Sequence, residues 1–169
     1  MKKMLFVIVP VLALVGCRTS YSWTSDVPQS LRTVCIPTFR NESDITELGV
    51  LASTQILREF QREGTFKLAR PDDAAVEVQG VIKSAASSFN GGDLRSGQRM
   101  IDCDLVLRAE VSVVERVNGR VLLDNKIYIA RTTFVTGSID LTTAQRDASR
   151  RLAEDLAAQV VDDVLAVQW

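Results

Sequence analysis

Asp102 and Asp104 stand two apart in a run that alternates like a strand. That places both carboxylates on one face roughly 7 Å apart, a separation that suits paired-carboxylate chemistry. Solvated strand residues paired with Arg108 or Lys126 would give the same pattern. Gly91, Gly92 and Gly97 offer the backbone freedom of a phosphate cradle, but their spacing matches no Walker or dinucleotide fingerprint and no Lys-Ser/Thr pair follows. A flexible hairpin tip is the simpler reading. The 169 residues include no histidine, which removes Ser-His-Asp and Cys-His nucleophile systems and histidine-bearing zinc sites. No catalytic residue, metal or cofactor is expected, and the chain reads as a non-enzyme.

Cations and cysteines remain. Arg95, Arg99, Lys126 and Arg131 fall in or near the glycine-bearing stretch and on the expected outer face of a sheet. Such cations are natural contacts for a phosphorylated glycolipid, and scattered surface charge is the alternative. Arg146 and Arg150 are four apart on an expected helix and suit an anionic partner, or simply a solvated face; Arg151 with Asp155 reads as an intrahelical pair. Cys35 and Cys103 are either a disulfide between neighbouring strands or two small buried hydrophobes. Basic and acidic side chains number 20 and 21, so the chain lacks the positive footprint of a nucleic-acid binder.

The elements that would position these groups form one domain. Lys2-Lys3 and the apolar run Met4 to Val15 read as a secretory signal peptide, residues 1–16. Leu14-Val15-Gly16-Cys17 resembles a bacterial lipobox, which makes Cys17 the expected site of acylation. Residues 17–30 then form a polar, lipidated tether ahead of a single domain, 31–169. Arg18, rather than aspartate, follows the cysteine and favours the outer membrane.

Leu31 to Phe39 reads as a strand ending in a turn. Asp44 and Glu47 form a capping pair for a helix that carries Ile45, Leu48, Ala52, Ile56 and Phe60 on one face and stops at Gly64. After a short extended piece, Thr65 to Ala69, alternation marks strands at Val76 to Ile82, 101 to 113 and Val121 to Phe134, with Asn118-Gly119 as a two-residue type I′ turn. Ala86 to Gln98 is the longest unpatterned stretch and reads as a loop suited to contact. Thr142 and Gln145 cap a last helix whose stripe runs Leu141, Ala144, Ala148, Leu152, Leu156, Val160, Val164. The order β-α-β-β-β-α predicts an α+β two-layer sandwich, with two helices packed on one face of a largely antiparallel sheet.

In this order the pieces resemble the LPS-assembly lipoprotein family, LptE. The resemblance rests on the lipobox followed by Tyr21, on the turn Val34-Cys35-Ile36-Pro37-Thr38-Phe39-Arg40-Asn41-Glu42-Ser43, on the strand Ala74-Ala75-Val76-Glu77-Val78-Gln79-Gly80-Val81-Ile82, and on an Ala-rich terminal helix ending in Trp169. Ala75 departs from the family's usual aspartate, and Tyr21 lacks the preceding glycine, as in a divergent branch. The resemblance implies a lipid-anchored protein on the periplasmic side of the outer membrane. Its partners would be lipopolysaccharide and the β-barrel LptD, in which it would act as plug and assembly partner. A second resemblance, carried by the N-terminal half alone, is to peptidoglycan-synthase activators and the curli-secretion lipoprotein, and implies a regulatory or secretion role instead.

Overall fold

The computed structural model describes residues 27–95, 98–136 and 140–169. The expected signal segment, the tether and Cys17 lie outside them. A single 3₁₀ turn, Gln29–Leu31, precedes β1 (Thr33–Cys35), β2 (Arg40–Asn41), α1 (Leu48–Glu63), β3 (Lys67–Leu68), β4 (Val76–Arg95), β5 (Gln98–Glu115), β6 (Arg120–Thr136) and α2 (Leu141–Ala166). The strands form one sheet in the order β3-β1-β4-β5-β6, with β2 also on β4. β1 runs parallel to both β3 and β4, while β4, β5 and β6 form an antiparallel meander. The α+β sandwich expected from periodicity is present; β3 falls in the extended piece expected at Thr65 to Ala69, and β2 is added where only a turn is expected.

β5 organises the core because its alternation is unbroken. Cys103, Leu105, Leu107, Ala109, Val111 and Val113 are all fully buried beneath the helices. Above them, α2 buries Ala144, Ala148, Leu152, Leu156, Val160 and Val164, while Leu141, expected on that stripe, is half-exposed at the helix's first residue. Phe60, Phe66 and Trp169 close one end of the helix layer, each successive pair of ring centroids 5.4 Å apart.

Three local expectations are corrected. Residues 86–95 are not a loop: they continue β4, pairing with β5 as far as Arg95 opposite Gln98. Register shifts between Ile82 and Ser84 and between Phe89 and Gly92 displace the period-two pattern, and Ser, Ala and Gly carry little of it to begin with. The β5–β6 hairpin exists, but Glu115 pairs with Arg120, leaving a four-residue turn in which Gly119 alone is left-handed, at φ 68°. A type I′ turn would need Asn118 there as well. Neither expected helix cap forms, since α1 begins at Leu48 and α2 at Leu141 without a side-chain cap. Asn41 does the work before α1: its Nδ2 donates to the carbonyls of Ile45 (2.8 Å) and Thr46 (3.1 Å), and its Oδ1 accepts from the Ser43 N–H and hydroxyl. Gly64, at φ 85°, ends α1 as expected.

Phe39 is the keystone between the layers. It is 3% exposed, with its ring over Gly80 of β4 and its carbonyl against Gly49 of α1. A Cβ at Gly80 would fall inside the ring's van der Waals envelope, and one at Gly49 would strike the Phe39 backbone. Gly80→Ala should therefore lower stability by about 1–3 kcal/mol, the usual cost of overpacking a filled core, read as a reduced midpoint in thermal or urea unfolding. An unchanged midpoint would show that the ring has room to move.

Candidate functional site

The sheet's second face is the surface most open to a partner. Helices cover one side; on the other, β5 presents Asp102, Asp104, Arg108 and Glu110 in alternation with its buried set. Beside them β6 exposes Ile127, Ile129 and Val135, each close to half accessible, with Arg131 and Thr133 between. A carboxylate-bearing central strand is thus flanked by an apolar-and-cationic edge strand. Water is tolerated here, and so is a partner that offers both apolar contact and charge.

The four cations singled out from sequence do not converge. Arg95 ends β4, and Arg99 faces Leu94 across the β4–β5 ladder. Arg131 is exposed on the open face opposite Val106, seven residues along β5 from Arg99, or roughly 23 Å. Lys126 pairs with Val111, a core position, and so belongs to the helix side, not the outer face. Its Nζ lies 2.6 Å from Asp163 Oδ2 of α2 and 5.6 Å from the Tyr128 ring centroid. Burial, reinforced by the neighbouring Asp163 carboxylate, pushes the Tyr128 phenol far above its usual range. Burial pushes Asp163 upward too, but the hydrogen bonds and charge supplied by Lys126, with help from Tyr128, outweigh it and hold the carboxyl low. Tyr128 Oη is buried without a hydrogen bond of good geometry, so Lys126 is the partner that fixes Asp163.

Cys35 and Cys103 are both buried and free. Cys35 pairs with Glu77, which faces Val114, eleven residues along β5 from Cys103. That is roughly 36 Å of strand, far beyond the reach of a disulfide. Of the two readings of these cysteines, buried hydrophobes is the one that holds. Burial also raises the Cys35 thiol pKa, against the opposing pull of Arg116.

On α2 the expected Arg151–Asp155 pair is replaced. Arg151 reaches the sheet, donating to Thr132 Oγ1 (3.3 Å) and the Thr133 carbonyl (3.2 Å). Arg150 lies 3.9 Å from Glu154, and Arg146 lies 3.8 Å from Glu47 at the start of α1, both on exposed ground. Sequence reasoning gave no role to Arg151 as a strap between helix and strand. Its only signal is its place one residue off the buried stripe.

No curated protein sequence matches this one. A family match, to lipopolysaccharide assembly, LptE, spans residues 31–164, from the 3₁₀ turn to the last turn of α2. The chain belongs to the LptE family. The match takes in every strand of the LptE sheet and both helices, so the expectation drawn from the Phe39 turn and the Gly80 strand is met. Among solved structures, a hypothetical protein from Chlamydia trachomatis is 15% identical, with a TM-score of 0.57 over 79% of this chain and 95% of that one. A homologue of the neuraminyllactose-binding hemagglutinin from Helicobacter pylori is 9% identical, with a TM-score of 0.52 over 80% and 87%. Both share the fold. A minor lipoprotein from Acinetobacter baumannii is 13% identical, with a TM-score of 0.43 over 80% and 94%. Among the described residues no helix is long and apolar enough to cross a membrane.

Thiol reagents should leave Cys35 and Cys103 unmodified in the folded protein and label both after denaturation, read by peptide mass; a Cys35–Cys103 linked peptide under oxidising conditions would contradict this geometry. Because its folded pKa is depressed, Asp163 should stabilise the protein above the ordinary aspartate value and lose that contribution as pH falls through the lower folded one. Asp163→Asn should therefore unfold more easily at pH 7, by about 1 kcal/mol or less, and converge with the parent protein in strong acid.

Proposed function

We propose that this LptE-family protein is an outer-membrane lipoprotein, anchored through Cys17 on the periplasmic side, that plugs the LptD β-barrel and assists its assembly during lipopolysaccharide transport. The observation that carries the proposal is the family match over all the elements of the domain. The lipobox ahead of Cys17 supports the anchor, since two or three acyl chains hold a protein far more firmly than one.

The length of the hairpin and the open face of the sheet fit this reading. Val27 adjoins Arg32 at the start of β1, and Val34 of β1 pairs with Val76, the first residue of β4. Arg95 lies nineteen residues farther along β4, roughly 60 Å from that end. The β4–β5 hairpin thus reaches far from the end of the domain at which the tether joins it, long enough to span a barrel lumen. Barrel lumens are polar, and the open sheet face offers Asp102, Arg108 and Arg131 to such a wall. Arg95, Arg99 and Arg131 are the proposed contacts for lipopolysaccharide phosphates. Lys126 is already committed to Asp163 and is left out of that set.

Detergent extraction of the full-length tagged protein should co-purify an outer-membrane barrel; recovery of only a cell-wall synthase would overturn the plug and favour the regulatory role. Cys17→Ala should release the protein from the membrane fraction, and persistence there would refute the anchor. Arg95→Glu with Arg99→Glu should reduce cross-linking to lipopolysaccharide several-fold while leaving barrel recovery intact.

A further inference from the structure

The two edges of the sheet are treated differently. β6 is the terminal strand on one side, and its edge is guarded. It bears Arg120, Asp124, Lys126 and Arg131, bends at Asn125, which has φ 43°, and has its Thr133 carbonyl taken by Arg151. Charge and bulges of this kind are how proteins stop strands from adding to an edge. On the opposite side, β4 is paired by β1 at Val76 and Glu77 and by β2 at Val81 and Ile82, after which the Glu42 N–H donates to the Ile82 carbonyl and Lys83 pairs with Glu42 at 2.6 Å. From Ser84 to Phe89 no strand among the described residues lies on that side, although β4 continues fully paired to β5. This stretch, Ser-Ala-Ala-Ser-Ser-Phe, carries no charge and no proline, its side chains are short except for the last, and Phe89 is 69% exposed.

We propose that the β4 edge from Ser84 to Phe89 is a docking slot for one short extended segment of a partner polypeptide, which adds to the sheet by main-chain hydrogen bonds. Only another extended backbone matches a row of alternating N–H and C=O groups, and small uncharged side chains on both faces leave such a segment free to approach. Phe89 gives it an apolar contact at the far end. A second copy fits poorly. Antiparallel self-pairing centred on Ala86 and Ser87 would set the partner copy's residues 91 and 92 against Ile82 and Val81, where β2 already sits. The chain's own tether fits no better: the nine residues between Cys17 and Val27 span at most about 30 Å. Roughly 26 Å of that is needed to travel from the start of β4 to Ser84, leaving nothing to line the slot. The occupant is therefore a segment of about six residues that ends before β2. Resting on the plug reading, it is assigned to a lumenal segment of the barrel.

The test uses full-length protein in its own cells, with a photo-cross-linking amino acid at Ser87 or Ser88, and at Val117 in the β5–β6 turn as control. Adducts to the co-purifying barrel from Ser87 or Ser88, and none from Val117, are the expected result. Adducts to a second copy or to the chain's own N-terminal segment would overturn the slot's assignment. A barrel that co-purifies without any adduct from these positions would overturn the slot and leave the plug standing, whereas no barrel at all would remove both. Ser84→Lys with Ser88→Lys should cut barrel recovery at least tenfold with an unchanged melting temperature; full recovery with the fold intact would also count against the slot.

Discussion

The contact of Phe39 with two glycines is the constraint on which the two layers depend. The chain leaves β1, swings off the β4 edge for Ile36 to Phe39 and rejoins that edge farther along, in the same direction, as β2, and Phe39 is the residue that fills the resulting corner. Its ring requires Gly80 to lack a side chain, and its carbonyl requires the same of Gly49. Asn41, two residues on, closes the turn that leads into α1 through four hydrogen bonds to Ser43, Ile45 and Thr46. Strand, corner and helix are thereby fixed within a dozen residues. The direction of α1 over the sheet, and with it the groove in which α2 lies, follows from that corner.

α2 shows how a helix of modest amphipathicity is held. Its buried stripe is rich in alanine, which lets it approach α1 closely but contributes little apolar area per residue. Polar straps to β6 supplement it, one mid-helix and one near the C-terminal end: Arg151 to Thr132 and Thr133, and Asp163 to Lys126. Exposed ion pairs such as that between Arg150 and Glu154 add little, whereas Asp163 is two-thirds covered and faces a buried tyrosine.

The sequence was most legible where periodicity is unbroken. β5, the face of α1 ending at Gly64, and most of the α2 stripe were read correctly because burial follows directly from period. It was least legible where backbone geometry acts without side-chain pattern. The two bulges in β4 hide a paired strand among serines and glycines, and the two-residue strand β2 exists only through a partner remote in sequence. The start of α1 lies later than Asp44 predicts because Asn41 holds residues 43–46 in a turn, through bonds to Ser43, Ile45 and Thr46, so that the helix begins only at Leu48. Lys126 was put on the wrong face because the irregularity around Asn125 shifts β6 against β5 by a residue. Arg95, Arg99, Arg131 and Cys17 could be named from residue type alone; how they are spaced required the register of the ladder.

The parallel pairing of β1 with β4 also sets an order of events. Thr33 pairs with Lys67 and hydrogen-bonds to Ala75, 42 residues later, so β1, synthesised first, has no mate until α1 and β3 have followed, and none on its other side until β4 begins. The meander and α2, by contrast, form from neighbours in sequence, and such local contacts close quickly. During synthesis the N-terminal quarter of the domain must therefore wait, unpaired and apolar, for the sheet to be built ahead of it. Whatever shelters Val34, Phe39 and Leu48 in that interval governs the yield of folded protein as much as the final contacts do.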